Sequence, residues 1–317
     1  MKLLLPFILL TNLTFSKPFI PSNFNNVIHT LEENQEAQKI TLLLKQIALE
    51  PDNLVLVDRL LSTYIQSAKK SGNNSYIGYA EAFVAPYLIK YPKVYHLKMH
   101  QVNILQYTHR FDEALNILQS IIVTTPQEAE SYLVKASIYQ AKEDFKASLS
   151  TCKRLIFRSS HLLSSTCITT AQSHLGKLEE SYTLLQDVYA KAENEDLSEK
   201  LWALTSLADM AHRLNKPEES LAYLEEVLEN DRNDYYALKK MSDIYLLEKE
   251  YLKVKELLTE YQHIEALFLR QTVARSKLGD SILLEKENLK SFLALLKLRN
   301  ETAHKEDIPY FRELGLL

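Results

Sequence analysis

The segment Phe111–Ile121 reads F-D-E-A-L-N-I-L-Q-S-I, and the pattern of its first five residues comes back along the chain. It runs aromatic or apolar, two polar, one small, one apolar. Relatives begin at Phe145 (F-K-A-S-L), Leu178 (L-E-E-S-Y), Pro217 (P-E-E-S-L) and Tyr251 (Y-L-K-V-K), with an earlier cousin, Y-I-G-Y-A-E-A-F, from Tyr76. The small residues fall at Ala80, Ala114, Ser148, Ser181, Ser220 and Val254, about 34 residues apart in all but two intervals. Four positions beyond each stands Leu118, Cys152, Leu185, Leu224 or Leu258, and three further on Ile121, Leu155, Val188, Val227 or Tyr261. That i, i+4, i+7 spacing is one face of an α-helix. Upstream, Val102, Ala136, Thr169, Ala208 and Ser242 keep a small or medium side chain where a partner helix must approach closely. Pro92 and Pro126 lack an N–H to continue a helix and mark ends.

Composition agrees with helix after helix. Five glycines in 317 residues leave very few positive-φ turns and no Gly-rich phosphate loop. A formal charge of -4 supplies no basic footprint for nucleic acid. The chain contains no G-x-G-x-x-G, Walker loop, G-x-S-x-G or H-E-x-x-H. Acidic pairs such as Glu179-Glu180 and Glu218-Glu219 sit at polar first-turn positions, where the helix dipole favours them, and lack the dry cleft that acid–base work needs. No enzyme and no cofactor are expected.

These residues resemble the tetratricopeptide repeat over roughly positions 54–266. The resemblance implies an all-α, right-handed superhelical solenoid of about six antiparallel helix pairs. Gln35–Leu49 reads as the remnant second helix of a degenerate first repeat. Expected divisions are 1–16, 17–33 as an extended segment, 34–266 as solenoid, and 267–317 as C-terminal capping helices, including Leu283–Lys297 and a short helix near Tyr310. Two insertions are expected: Ala68–Ser75 between the helices of the first repeat, and the acidic Ala192–Ser198 after the fourth. The blocks Y-I-G-Y-A-E-A, C-K-R-L…S-T-C-I, L-W-A-L-T and L-R-Q-T-V-A-R-S-K-L-G are similar to those of exported bacterial repeat proteins of undefined function.

The N-terminus has the three parts of a secretory signal peptide. Lys2 is basic, Leu3–Phe15 is mostly apolar, and Thr14 and Ser16 place small residues before a cut at Lys17. No cysteine follows to accept lipid, and no later run of about 18 apolar residues spans a bilayer. A periplasmic or secreted location follows as an expectation, with no stable membrane insertion after cleavage.

In the tetratricopeptide arrangement the first helices line a concave groove. Carried over by register, the inward residues are His96, His100, Asn103, Gln106, Tyr107, Ser137, Gln140, Thr170, His174, Asp209, Arg213, Tyr236, Lys239 and Asp243, with Met99, Leu133 and Trp202 beside them. Amide, hydroxyl and aromatic groups in that mixture suit an extended peptide or a partner's helix. Met99 and His96 stand where a terminal-carboxylate clamp would want lysines. Cys152 and Cys167 fall on helices that neighbour each other in this fold, so they form either a disulfide in an oxidising compartment or two buried thiols. His96 and His100, at i and i+4, are weak metal candidates without an evident third ligand. The leading function is an exported, non-catalytic scaffold that binds a protein or peptide. The alternatives are an accessory protein for a small ligand or metal at the His96/His100 face, and a spacer with an empty groove.

Overall fold

The computed structural model describes residues 35–71, 73–262 and 264–279. Among them are fourteen α-helices, one 3₁₀ turn and no strand. A lone helix, α1 (Gln35–Leu49), precedes six hairpins: α2 (Leu54–Ser71) with α3 (Ser75–Lys90), α4 (Tyr95–Tyr107) with α5 (Phe111–Thr124), α6 (Ala129–Ala141) with α7 (Phe145–Cys152), α8 (His161–Ser173) with α9 (Leu178–Tyr189), α10 (Leu197–Arg213) with α11 (Pro217–Asn230), and α12 (Tyr235–Leu247) with α13 (Tyr251–Leu257). A final helix, α14 (Glu265–Leu278), packs on α12 and α13 as the first helix of a further repeat would. Each hairpin stacks on the next, so the molecule is a solenoid with a continuous core. The signal segment 1–16, the extended segment 17–33 and the expected helix at Leu283–Lys297 lie outside the described residues.

The small positions explain the stacking. Val102, Ala114, Ala136, Ser148, Thr169, Ser181, Ala208, Ser220, Ser242 and Val254 are all buried, because the two helices of a hairpin cross there. The serine hydroxyls at these positions differ in their surroundings. Ser220 Oγ donates to the Ala208 carbonyl at 2.8 Å, across its own hairpin, while Ser181 Oγ is buried with no partner among the described residues.

Of three expectations about the repeats, two change and one holds. Ala68 is fully buried and lies 12 residues before Ala80, the interval that also separates Val102 from Ala114. The Ala68–Ser75 stretch is therefore no insertion; its first four residues are the end of α2. The acidic insert Ala192–Ser198 does break the period, and it does so by lengthening a helix. α10 has 17 residues where α4, α6 and α12 have 13. Asp196 caps it, accepting from the Ser198 N–H at 2.8 Å.

The second change concerns glycine. The turns inside the second to sixth hairpins do use a left-handed residue, seven positions beyond the first helix's small residue: His109, Glu143, Gly176, Asn215 and Lys249. Only one of the five is glycine. The conformation is held by a hydrogen bond reaching five residues back, from the Arg110, Asp144, Lys177, Lys216 and Glu250 N–H groups to the Leu105, Tyr139, Gln172, Ala211 and Tyr245 carbonyls. This is the Schellman closure, which satisfies carbonyls orphaned at a helix end.

Two features shape the superhelix. Cys152 and Cys167 sit side by side with Cα atoms 5.4 Å apart, within bridging reach, joining α7 to α8. α7 stops at Cys152 after 8 residues and gives way to the 3₁₀ turn Lys153–Leu155, whereas α5 runs for 14. Further on, the curl returns on itself: the Tyr235 hydroxyl at the start of α12 donates to the Lys70 carbonyl at the end of α2, at 2.6 Å. Successive hairpins thus bring the first and sixth repeats within touching distance.

Candidate partner-binding groove

The first helices α4, α6, α8, α10 and α12 present their small position to the hairpin partner and the next residue toward the groove. Asn103, Ser137, Thr170, Asp209 and Asp243 each follow the small residue by one, and all are half-buried. Between the third and sixth repeats two of these residues, Thr170 and Asp209, join a cleft of about 430 Å³ lined by Gln140, Thr170, His174, Trp202, Thr205, Ser206, Asp209, Met210, Arg213 and Tyr236. That volume lies within the range of sites that seat a side chain or small ligand. A wider depression over α9, lined by Lys177, Glu179, Glu180 and Leu184 among others, is open outer surface.

Asp209 is the electrostatic centre of the cleft. Its Oδ1 receives Lys240 Nζ from α12 at 2.9 Å, and its Oδ2 lies 3.0 Å from Arg213 Nε, one turn along α10. The second contact is ionic, since Arg213 Nε lacks a well-aligned hydrogen bond. The guanidinium spends its other nitrogens on the repeat before: Nη2 donates to Ser173 Oγ, and Nη1 lies 3.3 Å from His174 Nδ1. Burial alone would raise the Asp209 pKa, yet Lys240 and Arg213 outweigh it and hold the carboxyl below its usual 3.8. Burial likewise works against the Lys240 cation, and Tyr236 with Asp209 more than offsets it. His174 goes the other way. Burial first, then the Arg213 charge, lowers its pKa, so near neutral pH its Nδ1 is free to accept from Arg213. Its ring stacks on Phe145 at 4.1 Å with planes 3° apart. The result is a braced wall carrying one carboxylate and two cations, flanked by the half-buried Trp202 and the exposed Tyr236. Thr170 Oγ1 is buried in the same wall with no partner among the described residues.

Of the residues expected in the groove, Gln140, Thr170, His174, Asp209, Arg213 and Tyr236 converge here, with Trp202. The others sit elsewhere along the solenoid. Gln106 Nε2 donates to Ser137 Oγ at 3.1 Å, tying α4 to α6. Tyr107 donates to Asn74 Oδ1 at 3.0 Å, at the turn of the first hairpin. Asp243 takes a two-pronged contact from Arg270 of α14, at 2.8 and 3.2 Å. Lys239 is half-buried on α12, and it is the neighbouring Lys240 that meets Asp209. His96 is exposed and edge-on to Tyr95, whereas His100 is buried against α2, with Nε2 2.8 Å from Asp58 Oδ1. Among the described residues no three His, Cys, Asp or Glu side chains converge as a metal site. Sequence reasoning missed Thr205, Ser206, Met210 and Lys240. Only Lys240 carried a signal, standing four residues beyond Tyr236 on the same helix face.

The tetratricopeptide repeat model matches residues 203–234, the second part of α10 through α11 and its following turn. No curated protein matches the chain in sequence. Among solved structures it is similar to a tetratricopeptide repeat protein from Parabacteroides merdae, with 14% identity, a TM-score of 0.56, and 75% of this chain and 92% of that one covered. It is also similar to the crystal structure of the APC/C hetero-tetramer Cut9–Hcn1, at 12% identity and a TM-score of 0.51 over 77% of this chain, which spans 47% of that protein's length. Residues 203–234 thus match the tetratricopeptide repeat, and the described residues share the helical solenoid fold of tetratricopeptide-repeat structures.

Proposed function

We propose that this protein is an exported, non-catalytic scaffold whose concave groove holds an extended segment or helix of a partner protein. One observation carries the reading. Three successive first helices, α8, α10 and α12, deliver an aromatic pair, an ion-paired carboxylate and an unpartnered hydroxyl to a single cleft. Rigid aromatic anchors beside pre-oriented polar groups are what a polypeptide recognition site needs. The Cut9–Hcn1 assembly, a hetero-tetramer built around the same fold, supports a protein as the kind of partner.

Export rests on the basic, apolar and small-residue succession from Lys2 to Ser16. It makes the adjacent cysteines a disulfide in the working protein. N-terminal mass analysis of protein from the native host tests this part: a chain beginning at Lys17 and two hydrogens short of the dithiol mass is expected. A chain retaining Met1–Ser16 would refute it.

The groove is tested by photo-crosslinking in the native host, with a photoreactive phenylalanine analogue at Tyr236 and, as control, at Leu184 on the outer side of α9. Adducts with a second protein from position 236 and none from 184 are expected. Trp202→Ala should weaken capture at 236. If capture occurs equally at both positions, or survives Trp202→Ala undiminished, the groove is not the docking face.

A further inference from the structure

The curl of the solenoid brings together two helix ends that lie far apart in sequence. Lys70 stands in the last turn of α2, and Tyr235 opens α12. Their contact differs in kind from the stacking of neighbouring repeats. Neighbours share buried apolar clusters, whereas none of the described clusters joins α2 to α12. What joins these two is polar and specific. The Tyr235 hydroxyl donates to the Lys70 carbonyl at 2.6 Å. That carbonyl is one of the last four of α2, which the helix itself leaves without a donor. Tyr261 stands edge-on to the Tyr235 ring, 6.3 Å away with planes at 78°, and is anchored in turn by donating to the Arg232 carbonyl at 2.7 Å. The phenol is thus aimed at α2 by its own repeat. Charge favours the meeting as well: exposed Lys69 and Lys70 end α2, while Asp231 and Asp234 outnumber Arg232 just before α12. The next residue, Tyr236, lines the groove cleft, so the joint stands at the edge of that cleft.

We propose that Tyr235 and Lys70 form a reversible clasp, which closes the solenoid into a ring and opens to admit a partner segment sideways into the groove. The curvature of a solenoid is the sum of small rotations between repeats. Slight changes at each interface therefore separate its two ends without breaking any core. One hydrogen bond and a few solvent-exposed charges then decide between closed ring and open arc. In the closed form a segment lying against Tyr236 is held beside the joint, and only a free chain end threads past it. The role in entry rests on the groove reading; the closure itself does not.

Pulsed dipolar spectroscopy tests the closure with no partner present, using nitroxides at Gln66→Cys on α2 and Asn233→Cys before α12. Both positions are exposed, and Cys152 and Cys167 are buried out of reach of the label. A dominant short distance and a minor longer one are expected. Tyr235→Phe keeps the ring and loses the donor, and should raise the ratio of long to short roughly fivefold. High salt, which screens the facing charges, should act in the same direction. Labels at Gln66→Cys and Asn116→Cys, within the first two repeats, should keep one distance throughout. A single distance left unmoved by Tyr235→Phe would overturn the proposal, and so would a parent with no short population. Entry is read by photo-crosslinking from Tyr236 in the native host, where Tyr235→Phe should form adducts severalfold faster than the parent. An unchanged rate from an opened clasp would overturn the gating. No adduct from either protein would overturn the groove reading and the role in entry with it, while the closure is judged by the distances.

Discussion

The first three repeats and the last three share one register and both have apolar cores, but they bury their ion pairs to different depths. In α2 through α7 the hairpins meet through apolar contact, as in the cluster of Leu60, Leu61, Ile77, Val84 and Leu97, and the ion pairs Arg110–Glu81 and Lys142–Asp112 between repeats lie at the surface. From α8 to α14 the ion pairs are drawn further inside. Asp209 is held by Arg213 and Lys240, and Asp243 by Arg270. The Tyr182 and Tyr189 hydroxyls each donate at 2.5 Å to a glutamate of α11, Glu219 and Glu226. The outer face there is acidic. A repeat scaffold thus keeps its interior fixed and varies its surfaces, offering a polar groove at one end and an apolar outer wall at the other. The Cys152–Cys167 contact lies at the seam between the two regimes.

The sharpest way to break this contrast is Arg270→Met. Arg270 is 2% exposed, so its removal strands the partly buried Asp243 carboxylate. A loss of about 3 kcal/mol or more is expected, read as faster amide exchange in α12–α14 with α2–α5 unchanged. Equal loss across the chain would mean the halves are not separately tied.

Reduction comes next. Opening a bridge with a sequence separation of 15 residues should cost roughly 3 kcal/mol in the chain-entropy picture. It should be seen as a lower melting temperature in dithiothreitol, with exchange rising first in α6–α8. An unchanged melt would show that the two thiols merely touch.

Much of this architecture was legible in the sequence, and the misses have physical causes. The small residues and the i, i+4, i+7 stripe fixed the hairpins because close helix crossings tolerate few side chains, as Ala114 and Ala208 show. Facing was less secure. Each residue turns a helix by about 100°, so a stripe read from sequence picked Lys239 where Lys240 meets Asp209. The i, i+4 pair His96 and His100 drifts by about 40°, enough for the second ring to turn under α2 toward Asp58. The left-handed turn residues gave no signal, since His109, Glu143 and Lys249 are held by hydrogen bonds to the helix behind them rather than chosen for conformational freedom. The Asn-rich turn after Ser71 hid that Ala68 was already in register. Contacts between distant repeats, such as Tyr235 on Lys70, depend on accumulated superhelical curvature that no local pattern carries.

A smaller effect separates the halves by pH. Because the folded-state pKa of Asp209 lies below its usual 3.8, its contribution is complete above that value and is lost as pH falls through the lower folded value. Acid should therefore loosen α10–α12 before α2–α5, with Asp209→Asn removing the difference at a cost of about 1–2 kcal/mol near neutrality. Hydrogen exchange followed down the acid range checks both the order and the sign.

The smallest expected effect unites the halves. His109→Gly in the second repeat and Lys249→Gly in the sixth relieve the same left-handed strain and should each stabilise by up to about 1 kcal/mol. Denaturant midpoints that rise for one and fall for the other would show that the turns differ between the halves.

The central claim is that the groove, and not the outer wall, receives a foreign polypeptide. It is tested most directly by photo-crosslinking in the native host from Tyr236 and from Val123, followed by mass identification of each adduct. The expected result is a second protein captured from Tyr236 and none from Val123. Capture of a foreign protein from Val123, with no adduct from Tyr236, would contradict it.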